Sequence, residues 1–167
     1  MALQDPLERT ARGSCLQRTL TGSSDAPKRT LLQRSWRDYV FAEIWTRPGL
    51  DRRARYLVAI ASAAASNGPA RALDNYVRGA LGNGDLTVAE LREAALHLAV
   101  YAGWSRGEEL DEAVSRIAYE LELPAADSPE IRAEPWDAEE RIQQGIAEFD
   151  AVMGFPGPPP VTPYFEA

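Results

Sequence analysis

The 167-residue chain holds one cysteine, Cys15, one histidine, His97, and one lysine, Lys28. A single thiol closes no disulfide within the chain and forms no CxxC pair. A single imidazole builds no His-rich metal site within one chain, so no metal is expected. A lone lysine beside a linker leaves no buried amine for Schiff-base chemistry. No apolar run approaches the roughly 20 residues of a membrane span. The opening stretch MALQDPLERTARGS lacks the apolar core of a signal peptide, and a cytoplasmic protein is expected. Positive charge is also short: 18 Lys+Arg stand against 25 Asp+Glu, a net charge of -7. Phosphate backbones and anionic membranes need clustered Lys/Arg, so neither nucleic acid nor a membrane is an expected partner. A small anionic substrate stays compatible, because one buried arginine decides that.

What is present suffices for a core. The chain is 45% hydrophobic and 26% charged, at a length that suits one domain. Residues 1–28 carry Gly13, Gly22, Pro27 and a Ser23-Ser24-Asp25 cluster, which reads as a loosely tied N-terminal arm with at most one short helix. From Lys28 to Trp45, Leu32, Trp36, Tyr39, Val40 and Glu43 recur at helical spacing. Arg47-Pro48-Gly49 ends that helix, and Asp51 caps an alanine-rich second one to about Ser66. Asn67-Gly68-Pro69 stops it and starts a third, with Leu73, Tyr76, Val77, Ala80 and Leu81 on one face. Gly82-Asn83-Gly84 breaks the third, and Thr87 with Glu90 forms a capping box for a fourth, Val88 to Ala102. The second half of that helix is apolar nearly all round, which predicts burial on several sides.

A fifth helix runs from about Gly107 to Leu121, burying Leu110, Val114, Ile117 and Leu121. A linker follows from Pro124 to Pro135, then a last amphipathic helix from Asp137 to Val152 and a Pro-rich tail from Phe155. The tail is either disordered or laid against another surface. No strand is predicted. The expectation is an all-α fold of about six helices, with an arm over 1–28, a helical core over 29–123, and linker, helix and tail over 124–167.

Four blocks, in order, resemble carboxymuconolactone decarboxylase-like proteins. They are Val40-Phe-Ala-Glu-Ile-Trp-Thr-Arg-Pro-Gly-Leu-Asp51, Arg55-Tyr-Leu-Val-Ala-Ile-Ala61, Val77-Arg-Gly-Ala-Leu81 and Leu96-His-Leu-Ala-Val-Tyr-Ala-Gly-Trp104. The resemblance covers about residues 36–120. It implies a compact helical protomer assembled as a homo-oligomer, trimer or hexamer. The AhpD-like peroxidase partners of this superfamily carry a CxxC pair and a histidine four residues beyond it. The matching stretch here is Pro69-Ala-Arg-Ala72, followed by Tyr76, so thiol-relay chemistry has no sulfur to run on. The decarboxylase branch lacks the thiols too, and the resemblance places one of its two histidines at His97 and the other at Tyr76. Its Gly-Phe/Trp-Pro turn is Gly103-Trp104-Ser105 here.

The candidate site residues follow from chemistry and spacing together. Glu93, His97, Tyr101 and Trp104 form one stripe of the fourth helix, lined by Val100, which is an odd face to show to water. A carboxylate one turn before a histidine can hold its imidazole; the alternative is a structural histidine. Glu43 lies on the predicted apolar stripe, either as a general acid or paired with Arg55 or Arg47. Arg55 suits a substrate carboxylate or an interior Arg–Glu pair, and Arg78 is the second candidate. Tyr76 is an oxyanion partner or a core tyrosine, and Asn75 beside it can donate to a carbonyl.

The expected function is a cofactor-independent lyase acting by proton transfer on a small carboxylated lactone or enol compound. A natural-product tailoring enzyme (isomerase, hydrolase or cyclase) and a non-catalytic oligomeric scaffold are the alternatives.

Overall fold

The computed structural model describes residues 5–23, 30–66, 68, 70–124 and 137–157. They form seven α-helices and one π-helix, with no strand among them. The chain makes two units, Met1–Ser128 and Pro129–Ala167.

Helix α1, Pro6–Thr21, differs from the loosely tied arm the sequence suggested. Asp5 caps it, accepting from the Leu7 and Glu8 N–H groups, and Gly22 ends it with φ 59°. Gly13, Gln17, Leu20 and Thr21 are buried. Pro27 and Lys28 lie outside the described residues.

Helix α2, Leu31–Trp36, begins at a Thr30–Gln33 capping box and runs directly into the π-helix Arg37–Ile44. Here the predicted face is corrected. Leu32 is 80% exposed and Tyr39 56% exposed, while Arg37, Asp38, Phe41 and Ala42 are buried. The wider π winding breaks the 3.6-residue periodicity on which that stripe rested. Two of the buried residues are charged, and they satisfy each other: Arg37 Nε lies 2.6 Å from the Asp38 carboxylate. The Thr10 hydroxyl of α1 donates to Asp38 at 2.9 Å.

Helix α3, Arg52–Ala65, starts where Asp51 accepts from the Ala54 N–H at 2.7 Å, and buries Tyr56, Ile60 and Ala64 at i, i+4 and i+8. Helix α4, Ala70–Gly82, buries Leu73, Val77, Ala80 and Leu81, as the spacing predicts. Asn67 and Pro69 lie outside the described residues. Gly84, at φ 68°, turns the chain towards α5, Val88–Ala102, which opens at the expected Thr87–Glu90 capping box. Gly103 (φ 99°) alone separates α5 from α6, Trp104–Glu120, which therefore starts a turn earlier than expected. Gly107 lets α6 close on α5, since a Cβ there would sit 2.6 Å from the Ala99 methyl. Leu110, Val114 and Ile117 enter the core, joined by Leu81, Leu86 and Leu91.

In the second unit, α7 spans Ala138–Met153, capped by Asp137 and ended by Gly154 at φ 73°. Phe155 folds back edge-on against Phe149, with ring centroids 6.0 Å apart. The linker residues 125–136 and the tail from residue 158 lie outside the described residues.

Candidate functional site

The candidate residues fall into three places. The first is the outer face of α5. Burial of its second half on several sides, expected from the apolar sequence, is not found among the described residues: Val88, Leu91, Ala95 and Ala99 are buried, while Leu96, His97, Val100 and Tyr101 are exposed. Tyr101 is 80% exposed and Trp104, at the start of α6, 71%. The helix is apolar on both sides but meets its own core with only one. His97 and Tyr101, one turn apart, are in ring contact with centroids 5.0 Å apart. Glu93, one turn earlier, is exposed as well.

The second place is an aromatic cluster where the π-helix meets α3 and α4. Tyr76 is half-buried, and burial pushes its phenol above the ordinary tyrosine value. Its ring lies nearly parallel to the Trp45 indole, at 6.1 Å and 18°. Trp45 also meets Tyr56 edge-on at 5.0 Å. Tyr56 is fully buried, donates to the Leu20 carbonyl at 2.9 Å, and its phenol is pushed up to about 12, chiefly by burial. Asn75 is half-buried beside Tyr76.

The third place holds the charged candidates, each already engaged. Glu43 forms an ion pair, as one of its two readings expected, but with Arg9 of α1 at 3.0 Å and not with Arg55 or Arg47. Arg9 lies upstream of the resembling stretch, so no motif pointed to it. Arg55 donates through Nη1 to the Ile44 carbonyl at 2.8 Å, through Nε to the Leu50 carbonyl at 3.1 Å, and through Nη2 to the Arg47 carbonyl. Arg78 pairs with Glu120, which also lies 3.7 Å from Arg116 as an ion pair; Arg116 in turn reaches Asp74 at 2.7 Å. The Arg78 contact holds the Glu120 carboxyl below the usual range.

His97, Tyr76 and an arginine do not share one cavity among those described. A surface depression lined by Tyr119, Glu120, Glu122 and Leu123 contains none of the candidates but Arg78's partner, Glu120. Among the described residues, no three His, Cys, Asp or Glu side chains gather as a metal site needs, and no helix is long and apolar enough to cross a membrane.

With this geometry in view, the chain can be set beside known proteins. It is 39% identical over 66 residues to the nitrosuccinic acid decarboxylase npaB of Metarhizium robertsii, a stretch covering 40% of this chain and 45% of that protein. It is 42% identical over 65 residues to the 4-carboxymuconolactone decarboxylase of Acinetobacter baylyi, covering 39% of this chain and 47% of that one. The aligned stretches thus span a little under half of either relative. No solved structure is a significant match. The family model of the carboxymuconolactone decarboxylase family matches residues 30–115. That range runs from the cap of α2 into α6, carries Glu43, Tyr76 and His97, and makes up more than half of the 167 residues, so the chain belongs to the carboxymuconolactone decarboxylase family.

Proposed function

We propose that this chain is a cofactor-independent decarboxylase of a small carboxylated compound, with His97 as the proton donor to carbon. Decarboxylation breaks the bond between a carboxylate and its carbon and leaves the electron pair on that carbon. In nitrosuccinic acid the nitro oxygens can take up the pair; in an unsaturated lactone the conjugated carbonyl can. The substrate supplies its own electron sink, and the protein is left with three tasks. It holds the carboxylate, hydrogen-bonds the developing oxyanion, and returns one proton to carbon.

In this reading His97 returns the proton, Glu93 orients its imidazole, and Tyr101 and Trp104 wall the reacting molecule. Tyr76, kept protonated by burial, and Asn75 donate to the oxyanion. Glu43 tunes the site through its pair with Arg9. Arg55 or Arg78 is the candidate cation for the carboxylate. Either would have to leave its present partners to bind it.

The observation that carries this reading is the setting of His97. It lies within the family-matched stretch, on the α5 face where Leu96, Val100 and Tyr101 are exposed, and Trp104 is exposed at the start of α6. Large apolar side chains gathered on one exposed helix face are what an interaction surface presents. A second copy of the chain covering it would take His97 out of bulk water and close a cavity around it. The homo-oligomer is therefore part of the proposal.

The test is CO2 release and product mass with purified protein and a panel that includes nitrosuccinic acid and 4-carboxymuconolactone. Turnover lost in His97→Ala supports the reading, and full activity in a folded His97→Ala removes it. Tyr76, where the branch's histidine is expected, favours a second reading in which the scaffold tailors a different substrate. Mass-neutral or +18 conversion without CO2 in the same assay would move the function to isomerisation or hydrolysis.

A further inference from the structure

Trp45 occupies the junction between the π-helix and the loop that leads to α3. Its N–H donates to the Val40 carbonyl at 2.9 Å, the last turn of the π-helix. Its indole contacts three aromatic rings: Tyr76 nearly parallel, Tyr56 edge-on, and Phe41 nearly parallel at 6.4 Å and 13°. Tyr56 and Phe41 are fully buried. The indole thus packs against both those buried rings and the Tyr76 ring, and because a phenol O–H lies close to its ring plane, that plane sets the directions in which the Tyr76 hydroxyl can donate.

The first residues of the segment carrying Trp45 are tied back to the π-helix, the Thr46 hydroxyl donating to the Ala42 carbonyl at 2.9 Å and the Arg47 N–H to the Ile44 carbonyl at 3.3 Å. From Trp45 to Leu50 the chain is a turn through Pro48 and Gly49, with Gly49 at φ 107°. The carbonyls of Arg47 and Leu50 in this turn, and of Ile44 just before it, converge on the Arg55 guanidinium, which uses all three nitrogens to meet them. A rigid, planar fork of donors can span three acceptors in this way. A lysine ammonium on a flexible stem cannot reproduce that geometry.

We propose that Arg55 is a positioning residue: it locks the 45–50 turn so that Trp45 holds Tyr76 in register, and it does not itself anchor the substrate carboxylate. The functional part rests on the reading of Tyr76 as an oxyanion donor. The structural part stands without it. The carboxylate then takes another cation.

Two spectroscopic measurements and one kinetic one test the lock. In the wild type, the Arg55 side-chain N–H protons should exchange with water at least about tenfold more slowly than those of the exposed Arg12 and Arg71. Equal rates overturn the lock, and this arm needs no variant to fold. In folded Arg55→Lys, the Tyr76 ring resonance should move towards its position in Trp45→Phe, and its phenol should titrate at lower pH as burial loosens. Unchanged Tyr76 signals overturn the proposal, because a variant that is merely less stable would leave them in place. With a turned-over substrate, Arg55→Lys should lower kcat with KM changed by less than about twofold, whereas a raised KM at intact kcat makes Arg55 the anchor after all. Absence of turnover in the wild type would count against the decarboxylase reading alone, since the two spectroscopic arms remain readable.

Discussion

The Tyr56 hydroxyl donates to the backbone carbonyl of Leu20 at 2.9 Å, and Gly79 faces the same carbonyl from α4. One acceptor at the end of α1 thus sits where α3 and α4 meet. Asn83 supports it from the other side, donating to the Thr19 carbonyl at 2.8 Å and lying 3.2 Å from the Tyr56 hydroxyl. Tyr56→Phe leaves a buried carbonyl without its donor. The expected loss is about 1–3 kcal/mol in urea denaturation. An unchanged midpoint would mean that α1 is not held through this bond.

Gly79 tests the same joint by volume. A Cβ at residue 79 would stand 1.9 Å from the Leu20 carbonyl oxygen, so Gly79→Ala must push the end of α1 away. The cost of such overpacking is about 1–3 kcal/mol. Hydrogen exchange should show faster amide exchange across α1 while α5 and α6 keep their protection. Uniform protection in the variant would contradict this packing.

Acid stability should depend on Glu90. Its carboxyl is lowered from 4.5 to about 2 in the folded chain, first by the Thr87 backbone N–H and then by Arg53 and the Thr87 hydroxyl. As pH falls, the unfolded chain takes up this proton before the folded one does. The contribution is therefore complete above about 4.5 and is lost progressively towards about 2. Asp38 acts in the same direction: burial raises its carboxyl, but hydrogen bonds from Arg37 and Thr10 outweigh that and hold it low. Glu90→Gln should flatten the fall in the denaturation midpoint between about pH 5 and 2, with a residual slope from Asp38. An unaltered slope would contradict the assignment.

The outer face of α5 should set the assembly. Val100 is 73% exposed and carries no polar atom in its side chain. Val100→Asp, which puts a charge into the proposed contact, is expected to reduce the mass found by light scattering to that of the protomer while the helical circular dichroism is kept. A wild type that is already monomeric, or a variant of unchanged mass, would contradict a covered face.

How much of this could be read in the sequence depends on what enforced each feature. Local chemistry was legible: Asp51 and the Thr87–Glu90 pair cap the helices they were expected to cap, and Leu73, Val77, Ala80 and Leu81 line the buried face of α4. The fold class followed, since the 3.6-residue period governs α3 to α6. The π-helix was not legible, because its winding depends on what packs against it, and the buried pair Arg37 and Asp38 reads as surface in any α-periodic scheme. Glu43 reads either as a general acid or as a partner of Arg55 or Arg47, both close in sequence, and it pairs with Arg9 in a helix upstream. Arg55 reads from the sequence as the anchor of a substrate carboxylate or one half of an interior Arg–Glu pair, whereas its three partners in the fold are backbone carbonyls, which leave no mark in a sequence. Outward-facing Tyr101 and Trp104 invert the usual inference from apolar pattern to burial, because the core formed by the described residues covers only one side of α5.

The central claim is that His97 gives a proton to the carbon that has lost CO2. The direct measurement is turnover of nitrosuccinic acid and 4-carboxymuconolactone in D2O, with product mass and stereochemistry followed for the wild type and for His97→Gln. The wild type should release CO2 and place one deuterium on one face of that carbon, and His97→Gln should be slower by about 100-fold or more, the range expected for a lost general acid. Deuterium spread over both faces, or a folded His97→Gln as fast as the wild type, would contradict the account.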